Sequence, residues 1–398
     1  MNLTERGKKM FLKQTLKDNK NLVDYSIKLH KEGKILPDTY VIDMDMLIQN
    51  ASKIYEKASK YGIKLYQMTK QIGRNPYIAA KLQEIGYEGV VAVDIKEALI
   101  MHRNGVKVSH VGHLVQTPKY ILKKLIKDVR PEVITIFSLE KAIQINNVCK
   151  ELNTTQKILI RFVEEEDTIY PLQYGGFKID NIKEIMVELL KLEYIEIEGL
   201  TAFPCFLFDS KKQSIIETNN ISTIKKAKQI IETQFNIKIN QMNMPSLTSV
   251  YNMSLIDKHG GTHGEPGHAL TGSTPLHSVK NLEEKLCMLY VSEISHNLKN
   301  TAYVYGGGHY RRSHMKNALI VDDVYNEHIV ETLYNNPENI DYYFEVKGNH
   351  QVGATVIMNF RTQIFVTRSD VAIVSGIGKN TPRLEAIYDS LGRKKELY

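Results

Sequence analysis

Cysteine is scarce in this chain. Its 398 residues include three, Cys149, Cys205 and Cys287, far apart. That spacing makes neither a disulfide framework nor a zinc cluster, so a reducing, cytoplasmic setting is expected. Long apolar runs are missing as well. None approaches the ~20 residues that span a bilayer. The stretch Met1–Lys20 is polar and charged, without the apolar core of a secretion signal, and no membrane partner is expected. There is no dense basic block with interleaved aromatics. The formal net charge is +7, but Lys and Arg are spread along the chain as on solvated helix faces, so no nucleic-acid partner is expected. Internal repeats, low-complexity linkers and a Gly-x-Gly-x-x-Gly fingerprint after the first repeating strand are also absent, and the last absence argues against a dinucleotide-binding fold.

What is present is an ordinary globular composition, 42% hydrophobic and 24% charged. The length suits a large barrel plus a second domain. Residues 1–36 read as an N-terminal helical extension, with Leu12, Leu16, Leu22, Ile27 and Leu29 at roughly helical spacing. Thr39–Asp43 predicts a lead strand. From residue 63 short apolar strands alternate with amphipathic helices: Ile63–Met68, Gly89–Val93, Val108–Val111, Val133–Phe137, Lys157–Phe162, Ile195–Ala202, Gln241–Met244 and Thr262–Leu270. Eight such units predict an α/β architecture, a (β/α)8 TIM barrel over residues 37–280. An open doubly wound sheet is the main alternative. After residue 280 strand-like segments without long helices, such as Thr301–Tyr305, Asn317–Val321, Gln363–Thr367 and Val371–Val374, predict a mostly β domain over 281–398. The lead strand 39–43 can pack with that domain.

Parallel barrels carry their chemistry at the C-terminal strand ends. Lys64-Leu65-Tyr66-Gln67-Met68-Thr69-Lys70 reads as a strand that ends on a lysine before a Gly-containing turn. Desolvation there lowers a lysine pKa and makes Lys70 a candidate nucleophile or Schiff-base former. Other strand ends bring Asp94, His113, Arg161, Phe203, Ser246 and Glu265-Pro266-Gly267-His268. Asp94 reads as the N-cap of the helix that begins at Ile95, and His113 as a satisfied rim histidine, with a place lining the site as its alternative. Arg161 is open between a ligand contact and a barrel-interior ion pair. Glu164-Glu165-Glu166-Asp167 reads as a solvated loop. His259, His263 and His268 lack a zinc spacing and a cysteine partner, so no metal is assigned. Ser246 and the amides of Gly267 and His268 suit a phosphate held by the loops after the last two strands. Gly267 alone is equally a turn glycine. Together with a lysine amine, the set points to pyridoxal phosphate, with the aldehyde on the lysine and the phosphate on the amides.

Three stretches carry a family likeness: Met68-Thr69-Lys70-Gln71-Ile72-Gly73-Arg74-Asn75-Pro76, Glu265-Pro266-Gly267-His268 and Val304-Tyr305-Gly306-Gly307-Gly308-His309-Tyr310. Through them the chain resembles the alanine-racemase-like, fold-type III pyridoxal-phosphate enzymes, nearest to their YhfX-like branch, over about residues 35 to 390. The resemblance implies a cofactor-bearing lysine at Lys70 that also acts as one α-proton acid/base. It implies a phosphate contact from Arg74, where alanine racemases place a tyrosine, and phosphate binding by Ser246, Gly267 and His268. It implies a second base, Tyr305, given across a head-to-tail homodimer, with His309 and Tyr310 as alternatives. Arg361 or Arg368 then meets a substrate carboxylate, and Tyr388 is a further candidate for the phosphate.

Two departures stand out. Glu265 replaces the arginine that faces the pyridine nitrogen in alanine racemases, and a carboxylate there favours a protonated ring, as in fold-type III decarboxylases. Phe203 replaces a stacking histidine. The implied activity is amino acid racemisation by two bases. A decarboxylase, a D-amino-acid lyase and a non-catalytic pyridoxal-phosphate carrier are the alternatives.

Overall fold

The computed structural model describes residues 11–310, 313, 315–334, 336 and 338–397. The first ten residues of the expected helical extension, and residues 311, 312 and 314 of the stretch after Tyr305, lie outside the described residues. The chain forms two compact units. One comprises Ile54–Thr69 and Pro76–Gly267; the other takes the residues up to Lys53, Lys70–Asn75, and those from His268 on. The chain therefore crosses from one unit to the other at Thr69/Lys70 and again at Gly267/His268.

Strand β1, Thr39–Asp43, is the lead strand. The first unit is a closed barrel of eight strands. These are β2 (Lys64–Gln67), β3 (Gly89–Val91), β4 (Val108–Val111), β5 (Val133–Ile136), β6 (Gln156–Arg161) and β7 (Ile195–Thr201), followed, after a hairpin of β8 (Phe206–Asp209) and β9 (Ser214–Glu217), by β10 (Gln241–Asn243) and β11 (His263–Gly264). Every barrel pairing is parallel, and the ring closes where β11 pairs with β2. Strands β3, β4 and β5 are short and wholly buried, as parallel strands covered on both faces must be. Asp94 caps its helix as the sequence implies, its carboxylate accepting from the Glu97 amide at 2.9 Å.

The eighth strand is shorter than expected. Only His263–Gly264 pair, and Glu265 to Leu270 leave the sheet. Pro266 has no amide to continue a ladder; its carbonyl instead accepts from the Met68 amide at 3.0 Å.

The second unit is built on a ten-stranded sheet. Its further strands are β12 (Met288–Leu298), β13 (Thr301–Tyr305), β14 (Asn317–Val321), β15 (Glu327–Glu331), β16 (Tyr343–Lys347), β17 (Thr355–Met358), β18 (Asp370–Ser375), β19 (Arg383–Asp389) and β20 (Lys394–Lys395). Strand β1 lies in this sheet, antiparallel to β12 and parallel to β18. Helices Phe11–Asp18 and Lys20–Lys31 lay Leu12, Leu22, Val23, Ile27 and Leu29 on Val41, Leu289, Val291, Ile357 and Ala372. The expected strand Gln363–Thr367 is instead a single tight turn at Ile364–Val366.

Barrel closure puts one backbone hard against another at Gly199 on β7, where an added Cβ would overlap the Gln241 carbonyl of β10. Gly199→Val should therefore destabilise the barrel by about 3 kcal/mol or more, read as a lowered urea midpoint.

Candidate functional site

Lys70 stands just past a well-held strand end. The Gln67 side chain donates to the Ala79 carbonyl at 2.9 Å, and the Thr69 hydroxyl donates to the Glu97 carboxylate. The other Glu97 oxygen accepts from the Val93 amide at 2.8 Å. Lys70 does not end the strand itself. It opens the turn Lys70–Ile72 three residues later and is half-buried. That turn packs on the turn Ile364–Val366, and the Arg74 guanidinium lies 5.1 Å from the centre of the Phe365 ring. Gly73 has φ +69°, and a Cβ there would press on Val371.

Glu265, immediately after β11, is the charged centre of the barrel. It is buried, and so are His110 of β4 and His113 just beyond it. Oε1 of Glu265 accepts from Asn243 Nδ2 at 2.8 Å and lies 3.1 Å from His110 Nδ1; Oε2 lies 3.7 Å from His113 Nε2. Burial by itself would raise this carboxyl. The facing His113 and His110 and the hydrogen bonds from His110 and Asn243 outweigh it and hold the group down at about 2. Of the two sequence readings of His113, the rim position is corrected: it lies inside with the acid. The three side chains bring their ligand atoms within 4.8 Å of one another, a spacing that a divalent ion can also use.

Arg161, at the end of β6, is fully buried, and burial lowers it to about 10. It forms no ion pair among the described residues. Its Nη2 donates to the carbonyls of Gln173 at 3.2 Å and Phe203 at 3.5 Å, and its Nε is buried without a hydrogen-bond partner. A buried guanidinium that meets two carbonyls and the Phe137 ring, 5.0 Å from its centre, with no such ion pair, suits an anionic or oxygen-bearing ligand. The Phe203 ring lies between His113, edge-on at 5.5 Å, and Tyr170 at 5.6 Å.

The phosphate candidates divide in behaviour. The Ser246 hydroxyl donates to the Phe206 carbonyl at 2.6 Å, so it must turn to donate to a phosphate. His268 Nε2 faces the Thr362 carbonyl at 3.0 Å and therefore carries a proton; its Nδ1 lies 3.4 Å from the Gln71 amide. The side chain is thus engaged on both sides. Any phosphate contact from His268 is therefore left to its backbone amide. Tyr388 is buried on β19, paired with Val371. Within the barrel unit, the buried Glu265 carboxylate, the Ser246 hydroxyl and the Arg161 nitrogen without a hydrogen-bond partner fit the ring nitrogen and oxygens of pyridoxal phosphate.

Tyr305 ends β13 with its ring 38% exposed, 5.9 Å from the Tyr343 ring. The glycines after it are packed, not loose. A Cβ at Gly306 would lie 2.5 Å from the Asp341 carbonyl, one at Gly307 would strike the Asp38 carboxylate, and one at Gly308 the Tyr290 ring. Asp341 accepts from the amides of Gly307 and His309 at 3.1 and 3.0 Å.

Sequence reasoning missed His110, Asn243 and Tyr170. The available signal was a polar residue at an inward position of a short apolar strand, together with the His110-x-x-His113 spacing.

The profile of the alanine racemase N-terminal domain matches residues 42–275, and that of the YhfX-like C-terminal domain matches residues 289–384. The chain is 40% identical over 385 residues to the uncharacterized protein YhfX of Escherichia coli K12, covering 96% of this chain and 99% of that one. Among solved structures it is similar to an alanine racemase from Clostridium difficile 630 crystallised with cycloserine (TM-score 0.65, 18% identity, 89% of this chain and 99% of that one). It is also similar to D-threonine aldolase from Filomicrobium marinum (0.65, 11%, 90% and 95%) and to diaminopimelate decarboxylase from M. jannaschii (0.62, 14%, 93% and 92%). Identities this low speak for the fold. No described helix is long and apolar enough to cross a membrane.

His263 on β11 sits beside the Tyr66 ring, and burial, aided by the charges of Lys64 and His110, lowers it to about 3. It is neutral in the folded barrel and takes up a proton on unfolding between about pH 3 and its unfolded value of about 6.5. Its contribution is complete above about pH 6.5 and is lost as pH falls toward 3. His263→Gln should give a shallower fall of urea midpoint with pH across that window.

Proposed function

Because the chain belongs to the alanine racemase N-terminal-domain family and continues into a YhfX-like C-terminal domain, we propose that it is a pyridoxal-phosphate enzyme acting on an amino acid, with two-base racemisation as its reaction. The observation that carries this reading is the pairing of β11 with β2: Glu265 and Lys70 follow adjacent barrel strands, tied by the Met68–Pro266 hydrogen bond. The lysine amine would hold the aldehyde carbon, and Glu265 would hold a proton at the ring nitrogen. Arg74, Ser246 and the amides of Gly267 and His268 would take the phosphate, and Phe203 would pack on the ring. When bound, the cofactor supplies an electron-withdrawing ring that stabilises negative charge at the substrate Cα.

Lys70 then moves the α-proton on one face, and a second group is needed on the other. Tyr305 takes that role, donated by a partner in a head-to-tail homodimer. Its outward ring supports this, as do the neighbouring rings of Tyr303, Tyr343 and His296 and the exposed Tyr334, Ile340 and Tyr342. Exposed aromatic surface of this kind is characteristic of an interface.

Glu265 also supports a second reading. A carboxylate at the ring nitrogen strengthens the electron sink and serves decarboxylation or carbon–carbon cleavage as well, and the structural neighbours include a decarboxylase and an aldolase. A non-catalytic carrier is disfavoured, because the sheet that presents Tyr305 would then have no role.

The purified protein should show a visible absorbance that Lys70→Ala abolishes; an unchanged spectrum in that variant would overturn the cofactor assignment. With the accepted amino acid found by a deuterium-exchange panel, label should enter Cα without loss of carbon, and carbon loss would favour the second reading. Tyr305→Phe should slow exchange by about 10²-fold or more. An unaffected rate would move the second base to His309 or Tyr310.

A further inference from the structure

The Glu265 carboxylate is bonded unevenly, and each oxygen has a separate surrounding. Oε1 has two partners, Asn243 Nδ2 at 2.8 Å and His110 Nδ1 at 3.1 Å. Two donors use the lone pairs that a carboxylate oxygen offers. Oε2 faces His113 Nε2 at 3.7 Å, which is a charge contact and too long for a hydrogen bond. The donors and His113 are themselves braced by two other strands. His110 Nε2 lies 2.6 Å from the Thr135 hydroxyl of β5. Asn243 of β10 also donates to the Thr201 hydroxyl of β7 at 3.2 Å, and His113 Nδ1 lies 3.5 Å from that hydroxyl. The Tyr66 ring, 5.8 Å from His110, and the Phe203 edge, 5.5 Å from His113, flank the group.

We propose that Asn243 and His110 are positioning residues that fix Oε1 of Glu265 and so present Oε2 to the ring nitrogen of the cofactor, with His113 as a competitor for that same oxygen. This rests on the pyridoxal-phosphate reading. The physical argument is rotational. The last torsion of a glutamate is broad and two-fold, so an unanchored carboxylate does not hold one oxygen in one direction. Pinning Oε1 from two sides sets the carboxylate plane and with it the direction of Oε2. Without Asn243, the carboxylate can swing until the 3.7 Å contact with His113 shortens to a hydrogen bond. Oε2 then turns away from the ring nitrogen while the lysine and the phosphate contacts remain as they were.

The test uses the full chain reconstituted with pyridoxal phosphate labelled with ¹⁵N in the ring, and reads the nitrogen shift that separates a protonated from an unprotonated ring. The wild type should give the protonated shift. Glu265→Gln should lose it. Asn243→Ala should move most of the population to the unprotonated shift while keeping the Lys70-dependent visible band. Adding His113→Leu to Asn243→Ala removes the competitor and should restore part of the protonated signal, a recovery that a merely structural role for Asn243 would not produce. If Asn243→Ala does not fold, Thr201→Val withdraws the second anchor of Asn243 together with the hydroxyl beside His113 Nδ1, and should produce a smaller shift in the same direction. A protonated ring in Asn243→Ala, or in a folded Thr201→Val where that variant is needed, would overturn the inference and leave the cofactor reading standing. Absence of a Lys70-dependent band in the wild type would overturn both. A stoichiometric divalent metal in the purified protein, lost together from His110→Ala and His113→Ala, would assign the three side chains to an ion and also overturn the inference.

Discussion

A carboxylate enclosed in a barrel is tolerable only if its charge is met from every side, and Glu265 imposes that demand on the strands around it. Desolvation of a lone carboxylate costs several kcal/mol, so the barrel supplies an amide from β10 and imidazoles on and just after β4, and braces them with hydroxyls from β5 and β7. Polar side chains at the inward ends of short apolar strands are otherwise a liability. Here each one answers another, and the set ends on a single acid. Arg161 at the end of β6 is the complementary case. It is a buried cation held by two carbonyls and the Phe137 ring, with one nitrogen lacking a hydrogen-bond partner.

The other unit shows a similar economy around the turn that begins at Lys70. Gln71 reaches His268, His268 reaches the Thr362 carbonyl, the Thr362 hydroxyl donates to Tyr40 at 2.8 Å, and the Tyr40 hydroxyl donates to the Gly308 carbonyl at 2.6 Å. One buried path thus runs from the residue after the lysine to the glycine loop after Tyr305. A second restraint reaches the same loop from Asp38, which takes hydrogen bonds from Ser369 and Tyr290 and which burial raises to about 7. Networks of this kind rigidify when fully satisfied. A base that must meet a proton on one face of a planar centre needs such rigidity, because a small misplacement is costly in rate.

Much of this was legible in the sequence for simple reasons. Strands such as Val108–Val111 are apolar runs of the right length between helical patterns, and Asp94 precedes a helix in the usual N-cap position. Lys70 could be picked out because charge at the end of an apolar strand is rare. His110 could not, because a polar residue within a buried strand has meaning only once the barrel closes and reveals Glu265 opposite it. Thr262–Leu270 was read too long because apolar pattern continues past Pro266, while hydrogen bonding does not. Strand β15 was missed because its exposed face reads as polar coil, and Gln363–Thr367 was misread because a tight turn can bury the same apolar residues as a strand. The engaged Ser246 hydroxyl is invisible to any pattern, since its acceptor lies forty residues away in sequence.

The two halves of the proposed chemistry differ in how firmly the chain commits to them. On the lysine side, topology does the work. Adjacent strands β2 and β11 lead directly to Glu265 and, three residues past the end of β2, to Lys70, and no loop conformation is needed to bring the two strands together. On the opposite side, Tyr305 is exposed, and among the described residues of its own sheet no hydrogen bond fixes its hydroxyl. What the fold does fix is the backbone behind it, where three successive glycines are pressed against Asp341, Asp38 and Tyr290. A loop built that tightly, carrying an exposed ring, presents that ring outward in a defined direction. In the proposed reading, Glu265 at the ring nitrogen would govern how much charge the substrate carbon can bear, and the surface that receives Tyr305 would govern where the proton returns. A change of reaction within this architecture needs only the second to move.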